Sequence, residues 1–335
     1  MIKKVYEDLG KNYSNIINRI KFYYDSMKET VEPIVKKVWN IYYPSNTNLI
    51  RYIAVDGGMF TKSVRTGTIY VVNAEALLYD NKLAPTPVSI FSKVGVMQPG
   101  NLDKERVDEL MEIGELKVAL DSVDKGDLLL MDGSIKKKHE KNGSIIPIES
   151  SSPLELIEEL DKLKFESESD MLNYLIDVKE SLLTRLVESY GDKTVWISKN
   201  SKSRDLFKKF ISDIEVSDVA VLEVFSSEPG YSIPITSSIN IGSMKFNIIT
   251  TYIRLCKGCK VLRMDIVLKE ISSFSDGIIK NIMNSLNSVS VEGYPYPLIK
   301  AHSDVKVNRD DRKRILSMLG LNTIPSAHWW PRQFL

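Results

Sequence analysis

The sequence is poor in cysteine and in long apolar runs, and both shortages exclude a class of protein. Two cysteines among 335 residues cannot form the disulfide framework of a secreted scaffold, which fits a reducing cytoplasm. No apolar run approaches the roughly 20 residues that a bilayer span needs. The opening MIKKVYEDLG is charged and lacks the apolar region of a signal peptide. We therefore predict a cytoplasmic protein with no membrane partner.

The chain also has almost no net charge, at +1 with histidine neutral. Such a balance gives no overall positive field that would indicate nucleic-acid binding. Acidic and basic residues are nevertheless clustered separately along the chain. Any surface that binds phosphate must therefore be local.

The two cysteines lie close together, as Cys256 and Cys259 in LCKGCK. Such a pair is typical of half a zinc site or of a redox pair. No second Cys/His pair follows at zinc spacing, and the flanking residues predict a hairpin turn. We expect a turn that carries two thiols, with a role for them left open.

The order of the patterns predicts an α/β fold. Residues 1–48 form an N-terminal helical arm, which Pro33 is expected to break into two helices. Residues 49–335 form the core, with a polar helical insertion near 136–190 and a C-terminal tail. Further segments are predicted as follows: strands over 51–56, 67–80, 87–96 and 126–134, helices over 103–121, 169–191 and 274–287, a β-rich region over 217–268, and a last helix capped by Asn308.

Three carboxylates are placed to meet at one edge of the predicted sheet. Asp56 ends the first core strand in RYIAVDGG, and Asp132 ends a later strand in LLLMD. Glu115 lies on the intervening helix, beside its apolar stripe. If the two strands are parallel neighbours, their carboxylates emerge together. Close carboxylates repel one another, and a hard divalent cation with oxygen ligands relieves that repulsion.

The order strand-Asp, hairpin, helix-Glu, strand-Asp is that of the RNase H-like fold. Two metal ions held there can activate water against a phosphodiester. The glycines after Asp56, Gly57 and Gly58, predict a sharp turn with room for a phosphate. The same stretch is also typical of the first phosphate loop of actin-like and sugar kinases, so an ATP-dependent phosphotransferase is the alternative. That fold needs a late Gly-Gly loop, and the last 100 residues contain none.

A second candidate cluster lies in EGYPYPLIKAHSDV, over residues 292–305. His302 can bind metal or exchange a proton near neutral pH, and Tyr294 and Lys300 can orient phosphate oxygens. Pro295 and Pro297 are expected to keep the segment extended. An edge strand with one hydrogen-bonded histidine would produce the same pattern.

The chain as a whole resembles the NurA nucleases of archaea. The resemblance is carried in family order by IAVDGG, GELKVAL, GDLLLMDGS, WISKNSKSRDLF, VLRMDIV, GYPYPLIKAHSDV and WWPRQF. It implies an RNase H-like, Piwi-like mixed sheet with helices on both faces. It implies a 5′-to-3′ exonuclease on single- and double-stranded DNA, with endonuclease action on single strands. It also implies a homodimer that acts with HerA, a hexameric ATP-driven translocase, in DNA end resection for double-strand break repair by homologous recombination.

Carried over motif by motif, the resemblance also implies a catalytic set, which consists of Asp56, Glu115, Asp132, Tyr294 and His302. Of these residues, the metal ligands are Asp56, Glu115, Asp132 and His302. Manganese is the implied ion, with magnesium an alternative and two ions per site. Tyr294 would position the scissile phosphate or the attacking water.

Basic residues form three clusters that can contact DNA phosphates. Lys199, Lys202 and Arg204 follow a predicted strand and are the preferred DNA contacts, together with Lys300. The other clusters are Arg254, Lys257 and Lys260, and then Arg309, Arg312, Lys313 and Arg314. Basic clusters that only face solvent have the same sequence pattern as clusters that bind phosphate. Large apolar residues of the helical arm and of the tail 328–335 are candidates for a partner surface.

A third possible function is that of a clamp that binds DNA without cutting it.

Overall fold

The structure is a computed structural model. It describes residues 2–47, 50–64, 67–80, 84–98, 100–139, 163–241, 244–268, 270 and 274–321. Residues 140–162 of the predicted insertion and the partner surface predicted in the tail 328–335 lie outside these residues. The division of the chain at residue 48 stays a prediction. No helix in these ranges is both long and apolar enough to cross a membrane.

The helices, numbered along the chain, are α1 Ile2–Val38, α2 Asp103–Leu120, α3 Ile135–His139, α4 Glu168–Tyr190, α5 Asp218–Phe225, α6 Asp276–Asn287, α7 Tyr296–Val305 and α8 Arg309–Met318. The strands are β1 Trp39–Ile41, β2 Tyr52–Val64, β3 Gly67–Tyr79, β4 Thr86–Met97, β5 Leu128–Asp132, β6 Thr194–Ser198, β7 Gly230–Ser232, β8 Ile235–Ile241, β9 Met244–Arg254, β10 Leu262–Leu268, β11 Ser290–Val291 and β12 Tyr294–Pro295.

Within the described ranges, ten strands form one mixed sheet in the order β1-β7-β9-β10-β6-β5-β2-β3-β4, with β8 paired to β9. Strands β2, β3 and β4 form an antiparallel meander. Strand β5 then pairs with β2 in parallel, and β6 pairs with β5 in parallel, each after a helical crossover. This order confirms the predicted RNase H-like mixed sheet.

Alternate residues of the central strands build two apolar cores, one on each face of the sheet. In β2, Ile53 and Val55 pack beneath α2 and α4, whereas Tyr52 and Ala54 pack beneath α6 and α7. The period-two alternation of a strand produces this division. The predicted helices on both faces are therefore present, and Asp56, next after Val55, lies on the α7 side.

Pro33 does not break the N-terminal helix, contrary to the prediction. Helix α1 continues through it to Val38. Pro33 is exposed, so water can satisfy the carbonyl that its ring deprives of a donor. Val35 and Val38 beyond it are buried in a third core against α5, and this packing holds the last turn in place.

Two further predictions were wrong in the second half of the chain. VAVLEVF, predicted as a strand, forms α5, which begins where the Ser217 side chain accepts a bond from the Ala220 amide. The segment after Tyr294, predicted to be extended, forms α7. Pro297 lies in the first turn of that helix, where a missing amide hydrogen removes no bond.

Gly57 and Gly58 do not form the predicted turn either, because β2 runs through both to Val64. The predicted last helix is confirmed, with Asn308 capping α8 through the Asp310 and Asp311 amides. Cys256 and Cys259 lie in the predicted turn between β9 and β10, with Cα atoms 5.3 Å apart. The structure joins them in a disulfide instead of leaving two thiols, since the turn brings them within bonding range.

Candidate active site

The parallel pairing of β2 with β5 brings two carboxylates to one edge of the sheet. Val55 is in register with Met131, so Asp56 and Asp132, the next residue on each strand, lie side by side. Both follow the alternation that places them on the α7 side of the sheet. The sequence-based expectation that these strands are parallel neighbours is confirmed.

Helix α7 supplies the third polar group at this edge. The His302 Nδ1 atom lies 2.7 Å from Asp56 Oδ2, and the His302 side chain is 51% exposed while that of Asp56 is 8% exposed. The Gly57 amide donates to Asp56 Oδ1 at 2.8 Å. Asp56 is therefore a buried carboxylate held between its own strand and a partly exposed imidazole.

Burial raises the pKa of the Asp56 carboxyl, and the negative charge of Asp132 raises it further. The Gly57 amide and His302 act in the opposite direction. Two carboxylates this close favour any cation that lies between them. The geometry therefore places negative charge where a divalent ion would be stabilised.

Tyr294 lies at the same edge, on β12. Its hydroxyl donates to Asp132 Oδ1 at 3.4 Å. Burial raises the pKa of Tyr294, as do Asp132 and Asp56, so the hydroxyl keeps its proton at neutral pH. The Lys199 ammonium lies 5.3 Å from the centre of the Tyr294 ring. The tyrosine thus connects the carboxylates to a basic loop.

Glu115 approaches from the other face of the sheet. A Cβ atom on Gly57 would lie 2.6 Å from Glu115 Oε1 and 2.9 Å from Met111 Cγ. The missing side chain at Gly57 therefore leaves the space that Glu115 occupies. On the opposite side, a Cβ atom on Gly58 would clash with the Val305 carbonyl. The two glycines allow close approach by α2 and by the end of α7.

Sequence reasoning missed the partner of Glu115, which is Lys138 on α3. The Lys138 ammonium bonds to Glu115 Oε2, and both side chains are 7% exposed. Burial raises the pKa of Glu115 to about 7, because the charge of Lys138 offsets only part of the cost of burying a carboxylate. Lys138 belongs to the run KKKH, which has the pattern of a solvated charge run, so nothing in the sequence indicates that this lysine is buried.

The predicted DNA contacts take different positions. Gly133 donates to the Ile197 carbonyl at 2.8 Å, so the loop after β6 leaves the sheet beside the carboxylates. On this loop Lys202 is exposed, while Arg204 donates to the Ile214 carbonyl at 3.2 Å. Lys300 on α7 forms an ion pair with Asp304.

Arg254, from another predicted basic cluster, is 2% exposed and donates to the Glu223 carbonyl at 3.3 Å. A buried arginine that bonds to backbone carbonyls cannot reach DNA, so the prediction of a phosphate contact at Arg254 was wrong. Its cluster partner Lys257 pairs with Glu228 at 2.8 Å.

The carboxylates and His302 have the donor chemistry of a divalent metal site. Among the described residues, the ligand atoms of Asp56, Asp132 and His302 form a group that lies within 4.8 Å. Carboxylate oxygens suit magnesium and manganese, and imidazole suits transition metals. The residues therefore fit a manganese ion. Glu115, the other predicted ligand, is instead bonded to Lys138.

Comparison with known proteins finds relatives along nearly the whole chain. The model of the NurA domain matches residues 50–307. The chain is 36% identical over 346 residues to the DNA double-strand break repair nuclease NurA of Sulfurisphaera tokodaii, covering 99% of both chains.

Solved structures show the same fold. The crystal structure of the NurA nuclease from Sulfolobus solfataricus is 34% identical and superposes with a TM-score of 0.81, covering 99% of this chain and 100% of that one. A NurA structure bound to dAMP and manganese shares the fold at 14% identity, with a TM-score of 0.59 and coverage of 95% and 98%. With a domain match over most of its length and full-length relatives above 30% identity, this chain belongs to the NurA family.

Proposed function

We propose that the chain is a DNA exonuclease that uses manganese to degrade strands from the 5′ end. Membership of the NurA family makes it a nuclease, and this favours hydrolysis over the phosphotransferase alternative. One observation supports the position of the active centre: the ligand atoms of Asp56, Asp132 and His302 lie within 4.8 Å at the sheet edge.

The proposed metal ligands are of two chemical kinds, carboxylate and imidazole. Asp56 and Asp132 supply negative oxygens, and the 2.7 Å contact with Asp56 orients the His302 ring. A divalent ion, when bound, supplies positive charge beside the oxygens of the scissile phosphate. The sequence predicts two ions, and the second would need oxygens of Glu115. Magnesium is a possible substitute, since carboxylates also suit it.

Tyr294 and the loop after β6 are proposed to place the DNA strand. The Tyr294 hydroxyl keeps its single proton, which it donates to Asp132 in the free chain and would donate instead to a phosphate oxygen of bound DNA. Lys199 lies over the same ring, and Lys202 is exposed on the same loop. These cations would bind the backbone without reading bases, so weak sequence preference and strong salt dependence are expected. Arg204 and Lys300, each with a partner in the protein, are assigned weaker contacts.

The finer properties implied by the family resemblance are part of the proposal. They are endonuclease action on single strands, a homodimer, and cooperation with the HerA translocase in end resection and homologous recombination. Exposed apolar residues along the first turns of α1, among them Val5, Tyr6 and Tyr13, support an assembly surface. Size-exclusion chromatography with light scattering tests the dimer, and co-elution with the hexamer tests the partnership. The cytoplasmic location stays a prediction.

Replacing Asp56 by asparagine tests the active centre. The change keeps the shape and removes one charge, so manganese-dependent degradation of a 5′-labelled strand should fall at least about 100-fold. Asp127→Asn is the matched control, because Asp127 lies at the opposite end of the same strand pair and bonds to Arg51 at 2.9 Å. Equal loss in both variants would contradict the assignment. A native chain that binds DNA but does not cut it in the presence of any divalent ion would instead be a non-catalytic clamp.

A further inference from the structure

Lys138 is a buried cation beside the proposed metal site. Helix α3, Ile135–His139, follows Asp132 after two residues. The three lysines of this helix come in sequence, and Lys138 is 6% exposed, whereas Lys136 turns toward Asp205 at 3.2 Å. The fold therefore buries one particular lysine and leaves its neighbour near the surface.

Three carboxylates surround the Lys138 ammonium. Glu115 bonds to it directly, and Glu112 and Asp56 act on it electrostatically. Both side chains of the Lys138–Glu115 pair are 7% exposed, so little water reaches the ammonium and its partner carboxylate. Lys138 thus carries a fixed positive charge between the α2 glutamates and the metal-binding edge.

This charge competes with a second metal ion for the same ligand. In a two-ion site, a second cation would be held between Asp56 and Glu115, which interact with each other across the gap at Gly57. One Glu115 oxygen is already bonded to the ammonium. A divalent ion there would have to break that bond and would meet an uncompensated lysine charge at close range, which is costly in a buried site.

We propose that Lys138 takes the place of a second divalent ion, so that the native chain binds a single manganese ion at Asp56, Asp132 and His302. The inference rests on the proposed metal site and changes the expected number of ions from two to one. The lysine holds Glu115 and offsets part of the negative charge at a position that does not depend on metal concentration. It is a positioning residue that acts through Glu115.

Manganese stoichiometry tests this role without measuring cleavage. Isothermal titration and electron paramagnetic resonance of free manganese, on the purified full chain, should give one ion per chain. Lys138→Met should raise the number to two, because Glu115 is released. The double variant Lys138→Met with Glu115→Gln should return it to one. Lys136→Met, on the same helix, is the matched control and should keep one ion.

Each result separates the inference from the proposed function. No ion in the native chain contradicts the proposed function itself. Two ions in the native chain, or one ion in a folded Lys138→Met chain, contradict only the role of Lys138. If Lys138→Met does not fold, anomalous scattering from native crystals soaked in manganese gives the number and positions of the ions instead. A second peak beside Glu115 overturns the inference, and a single peak at Asp56, Asp132 and His302 supports it.

Discussion

Helix α2 carries two glutamates that lie in buried ion pairs with lysines, and the two pairs have different surroundings. Glu109 Oε2 lies 2.7 Å from Lys179 Nζ, with both side chains fully buried. This pair lies between α2 and α4, inside the core. Six residues later, Glu115 pairs with Lys138, and this second pair adjoins Asp56 at the edge of the sheet.

The comparison shows that the same ion pair can have a structural or a functional role, depending on its neighbours. Glu109 and Lys179 neutralise each other in the core, with Glu112 also 3.3 Å from the lysine. A buried pair of this kind adds little net stability, yet losing one partner is costly. The Glu115 pair lies beside the Asp56 carboxylate, and a single cation could be bound by both carboxylates. Only there can the lysine be replaced by a metal ion.

Removing Lys179 should have the largest effect on stability. Lys179→Met keeps most of the side-chain volume and takes the cation away from Glu109. The free energy of unfolding should fall by about 3–5 kcal/mol, as measured by urea denaturation. Added manganese should stabilise this variant only as much as it stabilises the native chain, because the core pair has no access to the metal site. The loss in the free energy of unfolding should therefore be the same with and without manganese.

The double variant Lys179→Met with Glu109→Gln is the control for this prediction. Removing both charges should recover more than half of the loss, since no buried charge then remains unpaired at Glu109. A loss below about 1 kcal/mol in the single variant, typical of exposed pairs, would show that the core pair is not a strong constraint.

Removing Lys138 should cost less, and manganese should reduce the cost. Without metal, Lys138→Met should lose about 2–3 kcal/mol, because Glu115 can take up a proton where it loses its ammonium. An ion bound beside Glu115 at 100 times its dissociation constant returns about 2.7 kcal/mol. The measurement is urea denaturation with and without manganese, relative to the native chain. An equal loss in both conditions would show that the two pairs behave alike.

The sequence predicts much of this edge, because local patterns determine it. Asp56 and Asp132 end apolar strands, and parallel pairing brings strand ends together. The sequence does not show which of Glu109 and Glu115 lies in the core and which lies at the metal-binding edge, since both glutamates border the apolar stripe of one helix. Their difference depends on which lysine folds back onto them, and Lys138 looks like any solvated residue in its run.

Errors in the fold have the same origin. Pro33 and the VAVLEVF segment have local preferences that oppose a helix, and packing or a cap outweighs those preferences. Pro297 suits the first turn of a helix, so a proline there does not distinguish a helix start from an extended segment. For Gly57, the sequence shows only that no side chain is present. The structure shows that the missing side chain admits Glu115.

Adding a methyl group at Gly57 should disturb the Glu115 pair and the neighbouring Met111 side chain, and should leave the Glu109 pair unchanged. The new Cβ atom would lie 2.6 Å from Glu115 Oε1, so Gly57→Ala should lower the free energy of unfolding by about 1–2 kcal/mol. Displacement of Glu115 should reduce cleavage roughly 10-fold to 100-fold. Gly10→Ala is the control, because nothing lies within 4 Å of its added Cβ atom. It should instead gain about 0.5–1 kcal/mol, as expected for alanine in an exposed helix.

Glu112 should show the smallest effect, although it lies between the two pairs. It acts on Lys138 electrostatically and lies 3.3 Å from Lys179, with a side chain 15% exposed. Because Glu109 and Glu115 lie closer to their lysines, Glu112→Gln should cost about 1 kcal/mol or less and leave manganese stoichiometry unchanged. A double-mutant cycle with Lys138→Met and another with Lys179→Met measure the coupling. Coupling above about 1 kcal/mol in both cycles would mean that one network joins the core to the metal edge.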